Sequence, residues 1–160
     1  ANDVLERLRK YVIESLRQTP DAKTKDGMDM ALVILDKNNR KAEFAGAYNP
    51  LYIIRDGELI EKKANRMPIG IYFRGLKPFT NHEIELQKDD QIYMFSDGFV
   101  DQFGGDKDRK YMSKRFKKFL VSIHGHPMKK QQELLEQEYD NWRGYNEPVD
   151  DVLVVGVKIS

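Results

Sequence analysis

The spacing of apolar residues changes from strand-like to helical and back again along this chain, and that order constrains the fold more than any other feature. Residues 28–95 contain several short runs typical of strands, whereas residues 112–142 show the spacing of amphipathic helices. A last apolar run, 152–159, follows both helices, so its strand must return to the sheet formed earlier. Runs of strands followed by helices predict an α+β domain with mostly antiparallel strands.

Turn residues divide the strand-like region into hairpins. Strands are predicted over residues 28–35, 41–47, 51–55, 58–62, 82–86, 91–95 and 152–159. Asp56-Gly57 is a strong signal for a tight hairpin turn between two of them. The first strand is apolar on both faces apart from Asp29, so we expect it to be buried on both sides. A turn is predicted at 36–39, and residues 63–80 are expected to be irregular.

Helices are predicted on both sides of the strand region. Helical spacing covers residues 3–18 with Asn2 as the N-cap, and a loop is expected over 19–27. Amphipathic helices are predicted over 112–123 and from Pro127 to about residue 142.

The composition favours one domain and excludes several functions. The chain has 160 residues, and its 27 basic and 26 acidic side chains leave a net charge of +1, which gives no reason to expect nucleic-acid binding. Without cysteine there is neither a disulfide nor thiol catalysis. No apolar run approaches the roughly 20 residues that span a bilayer. We therefore interpret the chain as a cytoplasmic segment without membrane contact. Because it does not open with methionine, we interpret it as excised from a longer protein, so that any membrane anchor or sensor domain of that protein would lie outside these 160 residues.

Two acidic clusters lie beside predicted strands. Asp97, Gly98 and Asp101 follow the strand at 91–95, and Asp150-Asp151 precede the last strand. Carboxylates at neighbouring strand ends are suitable ligands for Mg²⁺ or Mn²⁺, which points to metal-assisted hydrolysis.

Within the first cluster, we expect Gly98 to allow a sharp turn that aims Asp97 across the sheet edge. Asp101 would accept a hydrogen bond from water on the metal. Each cluster also has a plainer interpretation. In that interpretation, Asp97-Gly98 is an ordinary turn with Asp101 solvated, and Asp150-Asp151 is a cap at the start of a strand.

Four segments, in this order, resemble the SpoIIE-type metal-dependent protein serine/threonine phosphatases, the bacterial relatives of the type-2C enzymes (the PPM group). The segments are residues 44–52, 67–70, 89–98 and 149–154. The resemblance spans residues 1–160. It implies a mostly antiparallel β-sandwich flanked by helices, in an α-β-β-α arrangement that is truncated at its N-terminus.

The resemblance also implies roles for particular residues. Asp97 and Asp150 match metal-ligating acids, with Asp151, Asp101 and Gly98 beside them and Asn49 at the rim of the site. In the complete domain two Mn²⁺ or Mg²⁺ ions would activate water for hydrolysis of phosphoserine or phosphothreonine, so no side chain is assigned as the nucleophile. The implied substrate is a phosphorylated bacterial regulator, such as an anti-sigma-factor antagonist in signal transduction.

One departure from the family pattern affects the expected activity. The family's upstream Gly-Asp-Phe-Tyr-Asp-like strand and Asp-x-Ser-Gly-His-Gly segment do not occur in this sequence. We therefore interpret residues 1–160 as one partial domain, the C-terminal two-thirds, that binds metal weakly and has little activity alone. An incomplete sheet also predicts a dimer. The alternative function is a non-catalytic, phosphatase-like module that binds a protein partner.

Overall fold

A computed structural model describes residues 1–19, 26–36 and 38–160 of the chain. The described residues form two compact units, one of 1–51 and 61–87 and one of 52–60 and 88–160. Most of the loop predicted over 19–27 lies outside the described residues. Lys37, in the turn predicted at 36–39, also lies outside them.

The predicted helices and strands occur in the predicted order, and three short elements that were not predicted lie within residues 98–110. The helices are α1 (Asn2–Ser15), α2 (Gly98–Asp101), α3 (Ser113–Ile123) and α4 (Met128–Arg143). The strands are β1 (Met30–Asp36), β2 (Lys41–Ala47), β3 (Leu51–Arg55), β4 (Glu58–Lys62), β5 (His82–Glu85), β6 (Gln91–Phe95), β7 (Phe103–Gly104), β8 (Arg109–Lys110) and β9 (Val154–Lys158). The strand predictions are confirmed to within about two residues at each end, which is the usual uncertainty of such boundaries.

The first unit contains an antiparallel sheet with the strand order β1-β2-β5. Leu5 of α1 is fully buried in a cluster that includes Ala45 of β2 and Phe79. Arg9, one turn further along α1, donates to the Lys77 carbonyl at 2.9 Å and lies over the Phe79 ring. Helix α1 therefore contacts both the sheet, through Leu5, and the irregular segment before β5, through Arg9.

Two predictions for the first unit are wrong. β1 is not buried on both sides, because it is the edge strand of its sheet and Ile34 is 45% exposed. Asn2 is not the N-cap, because α1 already includes it and Ala1 occupies the cap position.

The four-stranded sheet has the order β4-β3-β6-β9. Tyr93 of β6 lies opposite Tyr52 of β3 on one side and Gly156 of β9 on the other. The last strand therefore returns beside β6 as predicted. Between β3 and β4, Asp56 and Gly57 both have positive φ, as a type I′ hairpin turn requires.

Helices α3 and α4 pack in the second unit against an aromatic cluster. Phe116 and Leu120 of α3 are fully buried, and they belong to one cluster with Tyr52, Phe95 and Phe99. A fully buried side chain of this kind contributes roughly 1.5–3 kcal/mol to the free energy of folding. Among the described residues, no helix is both long enough and apolar enough to cross a membrane.

Candidate metal site

The pairing of β6 with β9 brings the two acidic segments together. Phe95, the last residue of β6, lies opposite Val154, the first residue of β9. The Ser96 N–H donates to the Leu153 carbonyl at 3.0 Å and extends the pairing by one step. The chain that enters Asp97 therefore runs beside the chain that leaves Asp151.

The hydroxyl of Ser96 strengthens this junction. Its Oγ donates to the Asp151 carbonyl at 2.7 Å and accepts from the Leu153 N–H at 2.9 Å. With the backbone hydrogen bond, three hydrogen bonds join Ser96 to residues 151–153. No role was predicted for Ser96, because its partners lie 55 and 57 positions further along the chain.

Gly98 allows the two backbones to approach closely. A Cβ at this position would lie 2.4 Å from the Asp151 carbonyl oxygen and 3.1 Å from that of Asp150. Gly98 does not have the positive φ of a glycine turn. It is the first residue of the short helix α2, so the sharp turn predicted at this position is wrong. Glycine is therefore required by the Asp150-Asp151 backbone, not by a bend of its own chain.

The three carboxylates at this junction, those of Asp97, Asp150 and Asp151, are solvent-exposed. Asp97 precedes α2 but makes no capping hydrogen bond to it. One oxygen of Asp150 accepts from the Asp151 N–H at 2.7 Å, which orients that carboxylate. The remaining carboxylate oxygens suit a hard divalent cation.

The other residues predicted at the site have partners of their own. Asp101 is not merely solvated, since its carboxylate accepts from Lys110 Nζ at 2.8 Å. Asn49 belongs to the first unit, where its backbone N–H donates to the Ala47 carbonyl at 2.7 Å. The role of Asp101 beside metal-bound water and that of Asn49 at the rim of the site stay predictions.

Carboxylate oxygens are suitable ligands for Mn²⁺ or Mg²⁺, but too few of them are grouped here to form a complete metal site. Among the described residues, no group of three or more Asp, Glu, His or Cys side chains is placed to hold a metal ion. These cations usually take six or more oxygen ligands, so Asp97 and Asp150 by themselves would not complete their coordination, and the assignment of the two acids as ligands stays a prediction.

An ion pair fixes the other end of the β6–β9 pairing. Arg55 donates from Nε and a terminal nitrogen to the two oxygens of Asp90, at 2.9 and 2.7 Å, and Asp90 is 1% exposed. Hydrogen bonding to Asp90 raises the pKa of Arg55 above its usual value. The Asp90 carbonyl accepts from the Ile159 N–H at 2.8 Å. The β6–β9 register is thus held at both ends, by Asp90 and by Ser96.

Sequence comparison identifies the family. The profile of the family described as Stage II sporulation protein E (SpoIIE) matches residues 1–160. The chain belongs to the SpoIIE family, as the four sequence segments predicted. A comparison with curated proteins finds no match.

Solved structures confirm the fold. The SiaA-PP2C domain of Pseudomonas aeruginosa is 26% identical with a TM-score of 0.79, covering 98% of this chain and 68% of that domain. The manganese-presoaked phosphatase domain of Bacillus subtilis SpoIIE is 19% identical with a TM-score of 0.60, covering 98% and 72%. The RsbU and RsbW domains of a Mycobacterium tuberculosis protein are 16% identical with a TM-score of 0.65, covering 98% and 47%. The chain has the antiparallel α+β fold of PP2C-like phosphatase domains, and its family supports phosphatase activity in general.

Proposed function

We propose that this chain supplies Asp97 and Asp150 to the metal-dependent hydrolysis of phosphoserine or phosphothreonine on a bacterial regulatory protein. The observation that carries the proposal is the junction of the two acidic segments, where Ser96 Oγ donates to the Asp151 carbonyl at 2.7 Å. In keeping with the family, we propose a cytoplasmic role in signal transduction, with an anti-sigma-factor antagonist as the class of substrate.

The chain's own residues would hold and orient the cations. Asp97 and Asp150 would provide carboxylate oxygens, and Ser96 would keep the segments that carry them together. When bound, Mn²⁺ or Mg²⁺ would acidify water and offset negative charge on the phosphoryl group. The manganese-presoaked crystal of the Bacillus subtilis relative supports this choice of cation.

The incomplete set of ligands supports a low affinity for metal. Two carboxylates, with no third acidic side chain among the described residues placed to join them on one ion, would hold a cation weakly. We therefore propose that residues 1–160 form a partial phosphatase domain with little activity by itself.

Titration with Mn²⁺ tests the proposal. Electron paramagnetic resonance of free Mn²⁺ would give the dissociation constants of the wild-type chain and of Asp97→Asn and Asp150→Asn. We expect saturable binding that each substitution weakens about tenfold or more, because each removes a charged ligand. Asp106→Asn, at the exposed turn between β7 and β8, is the matched control and should leave binding unchanged. Equal binding by all four proteins would contradict the proposal.

The absence, among the described residues, of a group of three side chains placed to hold a metal also favours a second candidate, a non-catalytic phosphatase-like module that binds a protein partner. The same titration separates the two. A module would show no saturable Mn²⁺ binding, and phosphate release from a phosphoserine peptide would not increase on adding Mn²⁺.

A further inference from the structure

A buried glutamine lies behind the two acidic segments. Gln102 directly follows α2, the single helical turn that begins after Asp97, and its side chain has no exposed surface. Buried glutamines are uncommon because both ends of the amide must find hydrogen-bond partners. No sequence pattern identified this residue.

The amide of Gln102 is bonded to the chain that leads into Asp150. Nε2 donates to the Glu147 carbonyl at 3.1 Å, and Oε1 accepts from the Val149 N–H, also at 3.1 Å. One side chain thus binds two backbone groups, the Glu147 carbonyl through its donor and the Val149 N–H through its acceptor. Val149 directly precedes Asp150.

Other contacts fix the orientation of this amide. Oε1 also accepts from the Tyr139 hydroxyl of α4 at 2.8 Å, and Nε2 also donates to the Phe103 carbonyl at 3.1 Å. The Gln102 carbonyl accepts from the Trp142 indole N–H at 3.0 Å. Both hydrogens and both acceptor positions of the amide are therefore used, which leaves it one orientation.

We infer that Gln102 is a positioning residue for the metal site: it holds residues 147–149 against the end of α2, so that Asp150 stays beside Asp97. The inference rests on the proposed function, because it assumes that these two acids share a cation. Glutamate would present oxygen to the Glu147 carbonyl where a donor is needed, and an apolar side chain would leave both backbone groups without their partner.

The test compares two buried glutamines. Gln131 is equally buried in the same unit but is bonded to Gln91 and to the carbonyls of His124 and His126, away from residues 147–150. Gln102→Met and Gln131→Met would be made in the full chain. Mn²⁺ affinity would be measured by electron paramagnetic resonance, and amide hydrogen exchange of residues 147–153 by mass spectrometry in the absence of metal.

We expect Gln102→Met to weaken Mn²⁺ binding about tenfold or more and to speed exchange in 147–153, because loss of an outer hydrogen bond disorders the ligand. Gln131→Met should change neither, although both variants lose thermal stability. If Gln102→Met fails to fold, Gln102→Asn replaces it, since asparagine keeps the amide but shortens its reach.

The outcomes separate this inference from the proposed function. Unchanged exchange and affinity in the Gln102 variant, or equal effects in both variants, would overturn the inference and leave the proposed function standing. If the wild-type chain binds no Mn²⁺, the proposed function fails. Faster exchange in the Gln102 variant alone would then still support its role in holding residues 147–149.

Discussion

At the scale of single residues, the backbone of Asp151 decides which side chain position 98 can hold. The nearest atoms to a Cβ there are the carbonyl oxygen and carbon of Asp151, at 2.4 and 2.9 Å. Backbone atoms cannot rotate away as the end of a flexible side chain can, so any larger residue must push the two acidic segments apart.

Gly98→Ala should therefore damage the proposed site more than a typical glycine substitution does. We expect the free energy of unfolding to fall by about 1–3 kcal/mol, as in other overpacked sites, and Mn²⁺ binding to weaken. Chemical denaturation and Mn²⁺ titration provide the measurements. Gly125→Ala is the matched control, because a Cβ there meets no atom within 4 Å. Wild-type affinity in Gly98→Ala would show that the close approach does not position the acids.

At the scale of elements, the register of β6 against β9 depends on adjacent aspartates with different surroundings. Asp90 is buried in a two-pronged ion pair with Arg55, whereas Asp89 makes an exposed ion pair with Lys158 at 2.9 Å. The two ion pairs should differ in what their disruption costs, because water and salt screen the exposed pair far more than the pair whose carboxylate is buried.

Asp90→Asn should destabilise the fold far more than Asp89→Asn. Asn keeps the volume of the buried side chain but removes the charge that accepts two hydrogen bonds from Arg55, and hydrogen bonds to charged groups contribute about 1.5–3 kcal/mol. The exposed pair should contribute little, because water and salt screen it. Urea denaturation of both variants measures the difference. Equal losses would mean that Arg55 and Asp90 do not secure the sheet as the structure indicates.

The buried hydroxyl of Tyr93 in β6 should make the free energy of unfolding fall as the pH becomes alkaline. Burial raises its pKa to about 12, although its hydrogen bond to Gln131 opposes the shift. The ordinary value is about 10, so the folded state retains a proton that the unfolded state loses. Stability is therefore complete below about pH 10 and falls as the pH rises towards about 12. Denaturation across this range should show a flatter profile in Tyr93→Phe, while fully exposed Tyr145→Phe should match the wild type.

The sequence predicted elements better than contacts. The Asp56-Gly57 hairpin and the return of β9 were predictable because local turn chemistry and chain order determine them. The burial of β1 was not, because its edge position depends on which strands pair with it. The clustering of the acidic segments followed from topology, but the bonds of Ser96 and Gln102 did not. Those bonds join residues far apart in sequence and leave no local pattern.

At the scale of the whole molecule, β9 leaves an apolar strand edge. In the described sheet β9 pairs with β6 only, and Leu153, directly before it, is 60% exposed. Val155 within β9 is also exposed. Unpaired edges with exposed apolar side chains pair readily with other chains.

We therefore predict that the chain self-associates through β9 as its concentration rises. Light scattering over a concentration series should show an increasing mass for the wild type, and Val155→Lys should prevent the increase, because lysine on an edge opposes pairing. Val4→Lys is the control, since Val4 is similarly exposed but lies on α1. A constant monomer mass for the wild type would contradict the prediction.

The hydrogen bond between Ser96 and Asp151 spans 55 positions of the chain. During translation, the first acid emerges from the ribosome well before its counterpart, and the intervening helices can fold while the second is still being synthesised. A nascent polypeptide therefore has no assembled pair of acids until Asp150 and Asp151 have been added. Any phosphatase activity that depends on the pair would be withheld until both acidic segments have been synthesised.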